Sequence, residues 1–225
     1  MNGSLLNLLS STKAYLDQRP QHLNDIFGRD SAQTTAFVHS THAEFDTHFE
    51  YRVISGLRNH LQHGDFPVKW LEFSSGWTTT EGKKESCAHK IAAFLSIDDL
   101  TRNDKIRALT RVELGALGQS RMDVKPLVRA YVSSIARLHF NVRTFTEQET
   151  QLNEERVLGL ITRARVGAIE IPVGLSAIAV SETGQIREQI PVFTDNIDRR
   201  KHLSKHSSVI TNIEKHFVSA ELAVD

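Results

Sequence analysis

Cysteine and long apolar runs are nearly absent from this sequence. Cys87 is the one cysteine among 225 residues, which excludes an intramolecular disulfide and a four-cysteine zinc site. No apolar run approaches the roughly 20 residues that a membrane-spanning helix requires, and residues 1–9 lack the basic start and continuous apolar stretch of a signal peptide. We therefore expect a soluble, cytoplasmic protein with no membrane partner.

An excess of either charge is also absent, because 27 Lys and Arg residues balance 27 Asp and Glu residues. The chain has no overall field to hold a polyanion, so a nucleic acid would have to bind a local patch. Residues 198–206, DRRKHLSKH, form a basic cluster that could contact an RNA backbone. Such a run is more often a solvated helix face.

Patterns for common cofactor and hydrolase sites are missing as well. There is no glycine-rich phosphate loop, no Gly-x-Ser-x-Gly and no His-Glu-x-x-His. Four histidines have a spacing that does not place them on one helical face, namely His42, His48, His60 and His63. The sequence therefore predicts no cofactor and no metal site, and it leaves Cys87 as an ordinary thiol.

Hydrophobic periodicity predicts helices in the first part of the chain. Residues 4–18 have helical apolar spacing, which Pro20 should end. Residues 31–63 contain no proline and a single glycine, which predicts one long helix. It is amphipathic, because an apolar stripe recurs at every fourth position, at Phe45, Phe49, Val53, Leu57 and Leu61. A glycine and a proline follow within four residues and should end this helix, so that His63 lies in its last turn.

A β-hairpin and three further helices are predicted next. Residues 68–73 alternate as a strand does, residues 74–82 resemble a loop, and residues 91–97 are again extended and apolar. The predicted helices span 103–117, 123–145 and 147–165. Their caps would be Asn103 or Asp104 for the first helix, Asp123 for the second and Thr146 for the third.

The composition changes after Gly167. The pattern predicts extended segments at 169–173, 175–180 and 186–193, a turn at 181–184 and a polar helix near 195–219. The expected fold is mainly α, with a helical domain at residues 1–166 that contains a small β-hairpin insertion. Residues 167–225 would form a C-terminal β/α extension with short strands, packed on that domain.

The polar face of the predicted long helix carries the candidate chemistry. On a helical wheel Arg58, Asn59 and His63 lie opposite the apolar stripe. Asn59 and His63 are one turn apart, so the amide could hydrogen-bond the imidazole and set its tautomer. Arg58 lies about 140° from His63 on the wheel. A compact site would therefore need two such helices face to face, as in a symmetric dimer.

These residue types suit the cleavage of RNA. A histidine can take the proton from a ribose 2′-hydroxyl or give one to the leaving 5′-oxygen. A guanidinium can hold the phosphate and the charge that develops on it. The chemistry needs no metal, and the expected products are a 2′,3′-cyclic phosphate and a 5′-hydroxyl.

The segment Phe49 to Val68, FEYRVISGLRNHLQHGDFPV, resembles the HEPN superfamily. The signature of that superfamily is Arg, a polar residue, three variable residues and His at a helix end, which Arg58, Asn59 and His63 match in order. The resemblance implies a HEPN-like helical bundle that dimerises. It also implies a metal-independent endoribonuclease with Arg58, Asn59 and His63 as catalytic residues, and a toxin or antiphage-defence effector with an antitoxin or defence-system partner.

Two alternatives remain for this segment. Arg58, Asn59 and His63 could form a solvated helix face that ends in a histidine near the negative end of the helix dipole, and the protein could be a non-catalytic HEPN-like interaction or regulatory subunit. His60 lies between the polar and apolar faces, which favours a packing role. Four charged residues upstream could support the site but are better explained as charged surface, namely Glu44, Asp46, Glu50 and Arg52.

Overall fold

The fold is known from a computed structural model, which describes residues 2–63, 66–80, 83–165, 175–192, 195–206, 209–213 and 215. Within these ranges it contains seven α-helices, a short 3-10 helix and two small antiparallel sheets. The predicted mainly α fold with small β insertions is confirmed. No helix of the described ranges is both long and apolar enough to span a membrane.

The chain forms two compact units. The first consists of residues 1–140 and 209–225, and the second of residues 141–208. Their boundary falls inside a long helix, Val124–Arg165. The boundary predicted at residues 166 and 167 lies outside the described residues, so that division stays a prediction.

The first unit begins with three helices, α1 Asn2–Phe27, α2 Ala32–Thr47 and α3 Phe49–His63. The prediction that Pro20 ends the first helix is wrong, because α1 continues through it. Proline removes one helical hydrogen bond, and the helix persists where tertiary packing compensates for that loss. Leu23, in the turn after Pro20, is 1% exposed, so α1 continues along the core on both sides of the proline.

The predicted single helix at 31–63 is also wrong, because α2 and α3 are separated at His48. His48 has extended backbone angles, φ −107° and ψ 110°. The guanidinium of Arg52 lies at this break and donates hydrogen bonds to the carbonyl oxygens of Phe45 and Asp46 at 2.8 and 2.7 Å. It thereby satisfies carbonyls that the end of α2 leaves without helical partners.

The predicted β-hairpin is present and is longer than expected. Strand β1, Val68–Thr80, pairs antiparallel with β2, Lys83–Ser96. The prediction of a loop from residue 74 is wrong for Ser74 to Thr80, a segment whose three threonines suit extended backbone. A short strand β3, Arg121–Asp123, pairs with β2 at Phe94 to Ser96.

Two short helices, α4 Ile97–Arg102 and α5 Ala108–Ala116, follow the hairpin. Neither was predicted with these bounds. Ile97 begins α4, whose N-terminus is capped by the Ser96 hydroxyl, instead of ending a strand. Asn103 ends α4 and does not begin the next helix, because its side-chain oxygen accepts the Lys105 amide in the connecting turn at 2.8 Å.

Helix α6, Val124–Arg165, is continuous, so the prediction of a new helix after Thr146 is wrong. The Thr146 hydroxyl donates to the Val142 carbonyl at 3.0 Å, which is compatible with an unbroken helix. The predicted role of Asp123 is confirmed, since its carboxylate accepts the Lys125 amide at 2.9 Å where α6 begins.

The core of the first unit is formed by apolar side chains from its helices and the base of the hairpin. Each is at most 5% exposed, and together they include Leu5, Leu9, Leu23, Phe37, Val53, Ile54, Leu57, Leu95, Leu100, Ile106, Leu114 and Leu138. Burial of such a side chain contributes roughly 1.5–3 kcal/mol. Helix α3 is at the centre of this core, because Val53, Ile54 and Leu57 are all fully buried.

The second unit contains the last part of α6, strands β4 Leu175–Val180 and β5 Ile186–Val192, and helix α7 Asp195–His206. The predicted strand at 175–180, the predicted second strand as far as Val192 and the turn between them are confirmed, and residue 193 lies outside the described residues. The predicted extended segment 169–173 lies outside the described residues. The helix ends at His206 rather than near residue 219, and Val209–Asn212 forms a 3-10 helix in the first unit.

Candidate functional site

The candidate residues Arg58, Asn59 and His63 lie in the last two turns of α3. The helix ends at His63, as predicted. Asn59 and His63 are four residues apart, so their backbones lie one turn apart on the same side of α3. The side chains of Asn59 and His63 lie outside the described part of the structure, so the hydrogen bond between them stays a prediction.

Arg58 is half-buried, and its Nε atom is buried without a hydrogen-bond partner in the described part of the chain. A buried guanidinium N–H without an acceptor is costly, and such a group in a native structure requires an explanation. An anionic ligand or a partner carbonyl would provide one. Arg58 is therefore the side chain of the predicted site whose surroundings leave a polar requirement unmet.

Arg52, six residues earlier in α3, forms hydrogen bonds with groups of two other helices. It is 8% exposed, which makes the prediction of a charged surface wrong for this residue. Its Nε and Nη2 atoms donate to the two carboxylate oxygens of Glu113 in α5 at 3.0 and 2.6 Å. Together with the two carbonyls at the end of α2, these contacts satisfy the buried charge. Arg52 thus joins α2, α3 and α5.

Gly56 and His60 follow Arg52 along α3 at intervals of four residues and lie against the segment between α4 and α5. A Cβ atom on Gly56 would lie 3.4 Å from Cγ1 of Ile106, a buried residue just before α5. His60 is 6% exposed, and its Nδ1 atom contacts the side-chain amide nitrogen of Asn103. The packing role expected for His60 is confirmed. Arg52, Gly56 and His60 therefore form one row along α3, which we call the anchor row.

The anchor row constrains the backbone of the candidate site. By helical position Asn59 and His63 lie within about 60° of the centre of that row, whereas Arg58 lies about 160° away. Asn103 is itself fixed, because its side-chain oxygen accepts the Lys105 amide. The last turns of α3 are thus held against the segment between α4 and α5 by contacts that allow little rotation of the helix.

A second polar cluster, which sequence reasoning missed, lies around Arg137 in α6. Its guanidinium donates to both carboxylate oxygens of Glu44 at 2.8 Å, to the Ser134 hydroxyl at 2.9 Å and to the Thr211 carbonyl at 3.1 Å. His48 Nε2 lies 3.0 Å from the same guanidinium. Glu44 and Arg137 are 93 residues apart, so no local pattern could have revealed this cluster.

The surroundings of the Glu44 carboxyl group lower its pKa. Burial acts to raise its pKa, but hydrogen bonds from Arg137 and Ser134 and nearby positive charge outweigh burial and lower the pKa. In two core tyrosines burial is the largest influence on the phenol pKa. Burial raises the pKa of Tyr131 to about 12 and the pKa of Tyr51 further, and their ring centroids are 5.3 Å apart. Both phenols therefore remain protonated and structural at neutral pH.

Arg58, Asn59 and His63 are not among the residues that line two cavities of the described structure. One, of about 470 Å³ in the first unit, is lined by residues that include Asp17, His42 and Tyr51. The other, of about 650 Å³ in the second unit, lies between α6 and α7 and is lined by ion-paired residues such as Glu154 and Arg200. Among the described side chains no group of three or more His, Cys, Asp or Glu residues could hold a metal ion.

Comparisons of the chain with known protein families, with curated proteins and with solved structures find no match. The HEPN resemblance therefore depends on the residues of α3 that carry it. The RNA substrate, the homodimer through the Arg58 to His63 face, the antitoxin or defence partner and the cytoplasmic location stay predictions.

Proposed function

We propose that this protein is a metal-independent endoribonuclease of HEPN type, with Arg58, Asn59 and His63 as its catalytic residues. The observation that carries the proposal is a helix that ends at His63 with Arg58 and Asn59 in its final turns. The buried Nε of Arg58, which has no acceptor in the described part of the chain, adds support because a phosphate oxygen would satisfy it.

The proposed reaction is an internal phosphoryl transfer. His63 takes the proton of a ribose 2′-hydroxyl, the 2′-oxygen forms a bond to phosphorus, and the bond from phosphorus to the 5′-oxygen breaks. The leaving 5′-oxygen receives a proton, which yields a 2′,3′-cyclic phosphate and a 5′-hydroxyl. Arg58 stabilises the charge on the phosphate oxygens, and Asn59 orients the His63 imidazole.

A homodimer is part of this proposal. Because Arg58 and His63 diverge around α3, two helices packed through their Arg58 to His63 faces would bring each guanidinium near the histidine of a second copy. One histidine could then accept the proton while the other donates one. The anchor row supports such a site, since residues that act in catalysis must be held by rigid supporting contacts.

The test is the cleavage of a mixed RNA pool in EDTA by the wild type and by His63→Ala. His22→Ala, which removes an exposed histidine of α1, serves as the matched control. We expect the wild type and the control to leave 2′,3′-cyclic phosphate ends and His63→Ala to leave the RNA intact. Cleavage that persists in His63→Ala, or that requires a metal, would contradict the proposal.

The same proposal covers a role as a toxin or antiphage-defence effector with an antitoxin or defence-system partner. An unrestrained ribonuclease would arrest growth of the cell that makes it. Expression of the wild type should therefore slow growth, and expression of His63→Ala at equal protein level should not. Equal growth of both strains would argue against a toxin.

A non-catalytic HEPN-like interaction or regulatory subunit is the second candidate. It is favoured by large apolar side chains that are exposed on the β1–β2 hairpin, including Phe73 at 72% and Trp77 at 53%. Exposed apolar surfaces of this kind mark interaction sites. Intact RNA in the wild-type assay, combined with binding to another protein, would favour this candidate.

A further inference from the structure

The β1–β2 hairpin extends well beyond the strand that supports its base. In the described part of the chain β3 contacts β2 at Phe94 to Ser96, and pairing between β1 and β2 continues from there to Thr80 and Lys83. A two-stranded hairpin on its own is marginally stable in water. The outer part of this hairpin therefore gains stability from anything that covers one of its faces.

The two faces of the hairpin differ in composition. Residues directly opposite each other in an antiparallel pair share a face. One face, which we call the apolar ribbon face, consists of Leu71, Phe73, Ser75 and Trp77 with Ala93, Ile91, His89 and Cys87 opposite them. The other face carries Glu72 and Lys90, and Glu72 forms an ion pair with Arg121. Among the paired residues from Leu71 to Trp77 and from Cys87 to Ala93, Asp, Glu, Lys and Arg occur on that second face alone.

Four large side chains of the apolar ribbon face are exposed. The exposed fractions are 50% for Leu71, 72% for Phe73, 53% for Trp77 and 47% for Ile91. Phe73 and Ile91 are directly opposite each other in the pairing register, Leu71 precedes Phe73 by two residues on the same face, and the Ser75 and His89 pair lies between them and Trp77. The patch resembles the apolar centre of an interface more than an ordinary protein surface.

We propose that the apolar ribbon face binds the same face of a second copy of this chain. The exposed area of the four large side chains is roughly 400–500 Å² in total, if a whole aromatic side chain contributes 150–250 Å². These side chains are Leu71, Phe73, Trp77 and Ile91. Two copies in contact would bury about 1,000 Å², the lower limit for a specific interface. The patch has a size that suits self-association through a twofold axis.

The charges of the chain favour a second copy over RNA as the occupant. None of the side chains described on the apolar ribbon face belongs to Lys or Arg, whereas binding of a nucleic acid depends strongly on cationic contacts to phosphate. The formal net charge of the chain is zero, so two copies do not repel each other overall. This inference does not depend on the proposed ribonuclease activity.

The test is the oligomeric state of the full chain, measured by sedimentation at about 1–100 µM without RNA. We expect the wild type to dimerise and Phe73→Glu to weaken the dimer by about 30-fold or more, since a buried charge replaces a central aromatic side chain. Ser74→Glu, on the opposite face and facing Lys90, is the matched control and should dimerise as the wild type does.

Circular dichroism of all three proteins checks that they fold, and the double variant Phe73→Glu/Trp77→Glu should lose the self-association that depends on the hairpin while it keeps native helix content. A wild type that is monomeric at every concentration would overturn the proposal. So would a dimer that Phe73→Glu leaves unchanged, as expected if α3 alone formed the interface. Binding of single-stranded RNA by a monomer, lost in Phe73→Glu, would overturn it in favour of RNA.

Discussion

Arg52 and Arg58 lie in the same helix, six residues apart, and have opposite surroundings. Arg52 is buried and donates to Glu113 and to two backbone carbonyls, whereas Arg58 is half-buried with an Nε atom that no described group accepts. The Arg52 guanidinium donates to groups of the fold itself, whereas the Arg58 Nε donates to no group in the described part of the chain. The residue type alone therefore says little about function.

The largest expected effect is the loss of stability in Arg52→Ala. Removal of this guanidinium leaves the Glu113 carboxylate and two carbonyls at the end of α2 without their donors, which should lower the free energy of unfolding by about 3 kcal/mol. Urea denaturation, monitored by circular dichroism, measures this free energy of unfolding. A loss below about 1 kcal/mol would show that the buried contacts of Arg52 contribute little to stability.

Arg58→Ala should affect activity and leave the fold intact. If the guanidinium stabilises the phosphate in the transition state, kcat for RNA cleavage should fall by about 100-fold, which corresponds to about 2.7 kcal/mol. Its unfolding free energy should change by less than about 0.5 kcal/mol, because the Arg58 Nε donates to no group in the described part of the chain. An Arg58→Ala protein that unfolds as easily as Arg52→Ala would show that Arg58 is structural.

Asn103→Ala tests the anchor row with a smaller effect. Loss of the amide that contacts His60 should lower stability by about 1–2 kcal/mol, since a buried polar ring atom loses its partner. If the anchor row positions the catalytic turn, kcat should fall while KM changes little. Asp104→Ala, an exposed neighbour, is the control and should match the wild type in both measurements.

The smallest effect concerns Arg137, which binds the carboxylate of Glu44 as Arg52 binds that of Glu113. Because the folded pKa of Glu44 lies below its ordinary value of 4.5, the stability it contributes is present above that value and is lost as the pH falls through the folded pKa. Glu44→Gln should therefore be less stable than the wild type at neutral pH, and this difference should shrink below about pH 5. A constant difference down to pH 3 would contradict the assignment.

Local signals were sufficient for some parts of the fold. The end of α3 at His63 was predictable because the glycine and proline that follow act on the backbone directly. The strands of the second unit were predictable from alternation and from the Ser181 to Gly184 turn. The positions of Arg58, Asn59 and His63 at a helix end followed from the same local rules.

Long-range contacts account for most of the errors. The break at His48 is stabilised by Arg52, whose carboxylate partner Glu113 lies 61 residues away, so the every-fourth-residue stripe of α3 could not reveal it. The passage of α1 through Pro20 depends on burial of the residues around it. The contacts that bury the Arg52 side of α3 likewise could not be predicted from a helical wheel, which assigned that side to solvent.

The return of the chain to its first unit has a consequence for biosynthesis. The Thr211 carbonyl accepts a hydrogen bond from Arg137, and Val209–Asn212 belongs to the unit formed by the first 140 residues. On the ribosome the amino-terminal part emerges first, yet it lacks this contact until the whole second unit has been translated. The nascent first unit therefore lacks part of its native set of contacts until residues 209–212 have been synthesised.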